Sequence, residues 1–406
     1  MPRDNRFRHQ VYPTKPALQP AFAKVSTEIA KERDDFHRLH SELGIREVLL
    51  VHGTFMGDDP FGISEMLRSV GKSVPLLAKG VNKLADTLEE KTRPFMSSVT
   101  GDVANYSEEF CGEFQKLVGD DPHVGRMEPT WSSQNHHFAR ADLAVRLVCR
   151  LHDLQLAPDE RVLLWGHSHA GNGFAILTNL LANHRDSVKR FFEMAELNAK
   201  NAEELGKHWK QASEILAAAS SPHPLSQSVF VATFGTPVRY GWDTGGCRHM
   251  LHVLHHKRTD ENHPERTHPL FPPQLMTDIV TARYGDWVQA FAIAGSDVPS
   301  VTKAKLHAAM GEVLESGLPA PKHGLDTKFI FPEKVRNACA RWKFGTRCHT
   351  DGRNLLLEYE PSGRKSKLLR PIEEAVMGHG VATTIDWLPT HLGLVMDWLG
   401  REEAAG

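Results

Sequence analysis

The stretch "RVLLWGHSHAGNG", from Arg161 to Gly173, constrains the fold more than any other part of the chain. Val162 to Trp165 is a short unbroken apolar run, the pattern of a strand buried on both faces. From Ala170 onward, Phe174, Leu177 and Leu181 recur at helical spacing. Ser168 lies in the turn between the two. A strand that feeds a helix through so few residues needs small neighbours at the bend, and Gly166, Ala170 and Gly171 supply them. Such a turn lifts a hydroxyl above the carboxyl edge of a sheet. The helix behind it aims unpaired N–H groups and a positive dipole end at the same place. The phosphate-loop spacings G-x-x-x-x-G-K-[ST] and G-x-G-x-x-G are absent, so the glycines point to a nucleophile turn.

Other segments repeat the alternation. "REVLLVHGTF" (46–55), "SVFVATFGTP" (228–237), "MLHVLHH" (250–256), "WVQAFAIAG" (287–295) and "NLLLEYEP" (354–361) read as strands, and "MEPTWSS" (127–133) as a short one. Residues 136–154, 170–183, 188–219, 301–316 and 383–400 read as helices, the last interrupted at Pro389. Residues 1–20 read as an arm and 21–43 as a charged helix ending before Gly44. Strands alternating with helices predict an α/β fold: a mostly parallel central sheet with helices on both faces. The expected organisation is an N-terminal arm and helix over 1–43. One α/β domain then spans 44–406, with insertions near 56–120, 188–225 and 258–286. The helical insertions are expected to form a cap.

Composition excludes several classes. The net charge is −2, which gives no basic excess for nucleic acid. No window approaches the roughly 18 apolar residues of a membrane span, and the first twenty residues lack the apolar core of a signal peptide. Five scattered cysteines without a C-x-x-C pair suit a reducing compartment. The expectation is a cytoplasmic protein with no membrane span. Oligomeric state is left open.

Three motifs in order resemble the α/β-hydrolase superfamily, in its lipase and esterase branch: "LLVHGTF" (49–55), "LLWGHSHAGN" (163–172) and "VATFGTPVRYGW" (231–242). The resemblance covers about residues 44–400. It implies a nucleophile elbow at Ser168 and the chain order Ser, acid, His. The base is then expected late, on a loop after the last strand. His379 fits, between Gly378 and Gly380; His391, beyond Pro389, is its rival. The acid is expected just past a strand end, at Asp297 in "FAIAGSDVPS" or at Asp260 after "MLHVLHHKRTD"; Asp297 is preferred. The oxyanion hole would use backbone N–H groups of His169 and of Thr54 or Phe55. A serine hydrolase of carboxylic esters, small or lipid-like, needing no cofactor, is what this implies. A hydrolase fold that binds without chemistry, and an acyltransferase with the same triad, are the alternatives.

The 24 histidines raise a metal site as a rival. No H-E-x-x-H or zinc spacing occurs. His252 and His256 on a strand would stand about 13 Å apart, too far for one ion. In "TWSSQNHHFARADLAV" (130–145), Trp131, Asn135 and Arg140 are candidates to brace the site, with Asn135 or Ser133 as a helix cap.

Overall fold

A computed structural model describes residues 7, 18–26, 36–53, 106–127, 131–257, 282–294, 303–314, 347–360 and 378–405. Seven strands form one sheet: β1 (Ala21–Val25), β2 (Ile45–Val51), β3 (His123–Arg126), β4 (Arg161–His167), β5 (Val229–Phe234), β6 (His249–His255) and β7 (Arg353–Tyr359). Their order is β1-β7-β6-β5-β4-β2-β3, and every pairing is parallel. Parallel strands cannot be joined by tight hairpins, so the connections run through helices that cover both faces.

The apolar runs divide by parity. Val162 and Leu164 of β4 and Val229 and Val231 of β5 join one core cluster. Leu163, Trp165, Phe230, Ala232 and Phe234 join the other. The first face is covered by α3 (His137–Asp153), α4 (Ala170–Ala182), α5 (Arg185–Asn198), α7 (Lys207–Ala218) and α9 (Ala304–Leu314). The second is covered by α1 (Arg38–Leu43), α2 (Glu108–Val118) and α10 (Leu388–Ala405). Two further helices are α6 (Ala202–Leu205) and α8 (Trp287–Ala294).

Aromatic contacts lock each layer. Trp165 is fully buried, with Phe114 edge-on at 5.2 Å and Phe234 tilted at 4.5 Å between centroids. On the other face Trp209 is stacked between Phe138 at 5.5 Å and Phe191 at 5.6 Å. Such pairs add about 0.5–1.5 kcal/mol each beyond burial. The stack ties α5 to α7 and α7 to α3, and α9 packs against both α5 and α3.

Four element readings change. Residues 21–25 form the edge strand β1 rather than helix, because β7 offers a free edge that pairs with Ala21 through Val25. Of the proposed 21–43 helix, the structure describes only α1. The run 287–295 is helix α8, not a strand; an unbroken apolar run is compatible with either. The short strand placed at 127–133 is β3, at 123–126. Pro389 stands in the first turn of α10, where its missing N–H costs nothing, so it does not interrupt the helix. The apolar segments read as strands around 46–55, 161–166, 228–237, 250–256 and 354–361 hold β2, β4, β5, β6 and β7.

The winding reverses at β2. β3 lies on one side of it and β4 on the other, so the carboxyl ends of β2 and β4 stand side by side at the switch point. Among the described residues no helix is long and apolar enough to cross a membrane.

The core also buries imidazoles. Burial drives His252 and His391 down to about 3 and His255 to about 4, and it holds His167 well below the ordinary histidine range. These rings are neutral in the fold but take a proton in the unfolded chain below pH ~6.5. The unfolded state then binds more protons, so stability is complete above about pH 6.5 and falls toward pH 4. Each ring removes up to about 1.4 kcal/mol per pH unit in that window. Urea unfolding is expected to show a lower midpoint at about pH 5 than at about pH 7, before ordinary carboxylates titrate. Equal midpoints would contradict the burial of neutral rings.

Candidate active site

The backbone around Ser168 is fixed from three sides. Ser168 has φ of 55°, a left-handed value that costs a non-glycine residue of order 1–3 kcal/mol. Its N–H donates to the Phe234 carbonyl at 2.8 Å, at the end of β5. Its carbonyl accepts from Gly171 N at 3.1 Å and from Thr236 Oγ1 at 2.9 Å. The bend is thus held by the neighbouring strand, by the loop after it and by the first turn of α4. Residues past β2 press on it from the remaining side. A Cβ on Gly53 would lie 2.6 Å from Ser168 Cβ and 3.3 Å from its Oγ.

The tight spot after Ser168 is Gly171, not position 170. A Cβ on Gly171 would fall 2.0 Å from Thr236 Oγ1, whereas the Ala170 methyl is accommodated within the core. A methyl group at 170 therefore fits without displacing the bend. His169 turns its side chain to Asn172, whose Nδ2 donates to Nδ1 at 3.1 Å.

His379 follows β7 and is buried. Its Nδ1 donates to Asp286 Oδ2 at 2.6 Å, and both side chains are 1% exposed. The pair lies against Gly235, the residue after Phe234: a Cβ there would come within 2.8 Å of Asp286 Oδ2 and 3.0 Å of His379 Nδ1. The His167 ring, next to Ser168 in the chain, packs 4.3 Å from the His379 ring. Ser168, His379 and Asp286 are therefore gathered around the end of β5. His379 Nε2 is buried and has no hydrogen-bond partner among the described residues. No hydrogen bond joins it to Ser168 Oγ; such contacts are commonly long before substrate binds.

The carboxylate that meets His379 Nδ1 is Asp286, which the sequence reading did not single out; Asp297 and its rival Asp260 lie outside the described residues. Asp286 precedes α8, and its Oδ1 accepts from Gln289 N at 2.8 Å, so one carboxylate caps a helix and holds an imidazole. The Asp-x-x-Gln spacing was the available signal. Burial pushes the Asp286 carboxyl up, but His379, the Arg347 charge and the Gln289 N–H together hold it below the usual carboxylate range. Arg347 donates to the Asp286 carbonyl at 2.9 Å and to Gln289 Oε1 at 2.6 Å. Gln289 Nε2 in turn donates to the Thr236 carbonyl at 2.8 Å.

The remaining sequence candidates separate. Thr54 and Phe55 lie outside the described residues. His391 Nε2 meets the Tyr359 hydroxyl at 2.8 Å. Trp131 does brace the turn after β2, donating Nε1–H to the His52 carbonyl at 3.1 Å. Ser133 Oγ meets His52 Nδ1 at 3.3 Å rather than capping α3, and Asn135 accepts from Arg140. The cap of α3 is His136, whose Nδ1 accepts from Ala139 N at 3.0 Å. Among the described residues no three His, Cys, Asp or Glu side chains are grouped as a metal ion requires. His252, one half of the suspected pair, engages Thr233 Oγ1 and the Asp351 carbonyl.

Comparison of the chain with protein-family models, with curated proteins and with solved structures returns no match.

Gly53→Ala is expected to displace Ser168 and to lower stability by roughly 1–3 kcal/mol, the cost of overpacking a filled site. Far-UV circular dichroism should stay native while the melting temperature drops. An unchanged melting temperature would mean that the turn after β2 does not press on Ser168.

Proposed function

We propose that the chain is a serine hydrolase of carboxylic esters, with Ser168 as nucleophile, His379 as base and Asp286 as the orienting acid. The observation that carries the reading is the buried Asp286–His379 bond of 2.6 Å, beside a serine held at positive φ, with His379 Nε2 left unpaired among the described residues. A carboxylate on Nδ1 fixes the tautomer in which Nε2 is a bare acceptor, the form that takes a proton from a hydroxyl. The order along the chain supports it as well: Ser168 after β4, Asp286 after β6, His379 after β7, all at one sheet edge. On this reading the α/β sheet is that of an α/β-hydrolase.

In the proposed reaction Ser168 Oγ attacks the ester carbonyl carbon while its proton passes to His379 Nε2. The tetrahedral oxyanion is met by the His169 N–H and the N-terminal end of α4, with Thr54 or Phe55 as the second donor. Collapse breaks the carbon–oxygen bond, and His379 returns the proton to the leaving alcohol. Water then attacks the acyl-serine, giving its proton to Nε2, and the carboxylic acid leaves with Ser168 restored. Asp286 stays ionised throughout and stabilises the imidazolium, and Arg347 and Gln289 keep its carboxyl low.

Ser168→Ala and His379→Ala are each expected to abolish turnover of a short p-nitrophenyl ester, and a fluorophosphonate should label Ser168 in the folded wild type. Asp286→Asn should lower kcat about 10⁴-fold. Asp297→Asn and Asp260→Asn should turn over at the wild-type rate. Full activity in the Ser168 or Asp286 variant would refute the assignment.

A further inference from the structure

The residue before Ser168 and the last residue of β6 make parallel contacts. His255 Nδ1 lies 2.7 Å from the Gly378 carbonyl, and His167 Nε2 lies 3.2 Å from the His379 carbonyl. A carbonyl only accepts, so His255 carries its proton on Nδ1 and His167 on Nε2. Burial keeps both rings neutral, which preserves these single-donor forms at neutral pH. The opposite nitrogens, His255 Nε2 and His167 Nδ1, are buried without a partner among the described residues. Each ring therefore makes one polar contact, and that contact is to the chain that carries the base.

Three features set these contacts apart from ordinary satisfaction of buried carbonyls. They fall on consecutive residues, one on the residue with the imidazole and one just before it. Their donors come from the strands that also carry the other members of the site. His167 is bonded in the chain to Ser168. The His255 carbonyl accepts the Asp286 N–H at 3.1 Å, so one residue holds the acid with its backbone and the base loop with its ring. The approach is also built into position 378. Gly378 has φ of 77°, and a Cβ there would lie 2.8 Å from His255 Nδ1.

We infer that His255 and His167 are positioning residues that clamp the Gly378–His379 backbone and so set the register of the base against both the nucleophile and the acid. The inference rests on the proposed triad. The rings touch no substrate; they act through the placement of His379. A shift of the base by about 1 Å costs on the order of 100-fold in rate with little effect on binding.

The two tautomers give a crossed test. The amide nitrogen of asparagine stands where Nδ1 stands, and that of glutamine reaches as far as Nε2. His255→Asn and His167→Gln keep a donor in place; His255→Gln and His167→Asn do not. With a p-nitrophenyl ester, the first two should keep kcat within about threefold of wild type, and the second two should lose on the order of 10- to 100-fold in kcat with KM unchanged. Equal loss in all four would mean that the rings only fill space, and loss in KM alone would place them at the substrate; either overturns the clamp. Nitrogen-15 NMR of the wild-type histidine side chains reads the clamp without any turnover or variant. It should report His255 protonated on Nδ1 and His167 on Nε2, and the reverse tautomer in either overturns the proposal. If those tautomers are found but no fluorophosphonate labels Ser168, the hydrolase reading fails while the clamp geometry stands.

Discussion

A carboxylate with almost no exposed surface is what the rest of this site is arranged around. Burying a charged group is tolerated only when strong, well-placed partners replace the lost water. Asp286 has His379 Nδ1–H on one oxygen and the Gln289 N–H on the other. It also lies in the field of Arg347, which is itself buried and whose guanidinium falls only to about 10. Arg347 does not touch the carboxylate; it is anchored on the Asp286 carbonyl and on Gln289 Oε1. Gln289 then reaches the Thr236 carbonyl, and Thr236 Oγ1 reaches the Ser168 carbonyl. One line of hydrogen bonds thus runs from Asp286 to the backbone of Ser168 without passing through the His379 ring.

The all-parallel sheet makes that assembly possible. Every strand ends at the same edge, so the segments after β2, β4, β5, β6 and β7 meet there although they are spread along the whole chain. At the reversal, the chain past β2 brings Gly53 against Ser168. The helices contribute both rigidity and groups: α4 fixes the bend through Gly171, and α8, capped by Asp286, supplies Gln289.

Local chemistry made part of this readable. β4 and Ser168 are legible because a buried strand, a bend of small residues and an amphipathic helix are all short-range patterns. His379 is legible because glycines flank it late in the chain. Asp286 was not, because "WVQAFAIA" is apolar all round and its period cannot separate strand from helix. Reading it as a strand moved the search to its far end, at Asp297, whereas the aspartate bonded to His379 stands at its near end as a cap. β1 was missed for a different reason. "AFAKV" has no strand pattern strong enough to stand alone, and its conformation is set by register with Leu355 to Tyr359, over three hundred residues away. The demand for smallness was assigned to Ala170 and Gly171 together. Only Gly171 is pinned, by a residue from β5's far end that no local pattern reveals.

The histidines are the last part that sequence alone could not sort. Clustered imidazoles suggest metal, yet the described ones are mostly engaged singly with carbonyls, hydroxyls and rings. The physical reason favours imidazole here. It can shed its charge on burial at modest cost, which lysine does only with difficulty and arginine hardly at all. In the neutral form it still offers one N–H in a rigid plane. A sheet edge that must hold several loop carbonyls in an apolar surrounding therefore gains from neutral histidines. His252 shows the pattern: its two ring nitrogens join Thr233 of β5 to the Asp351 carbonyl ahead of β7. His255, three residues on, does the same for the loop that carries His379. β6 thus carries two such rings, one joining β5 to the chain ahead of β7 and one holding the Gly378 carbonyl next to His379.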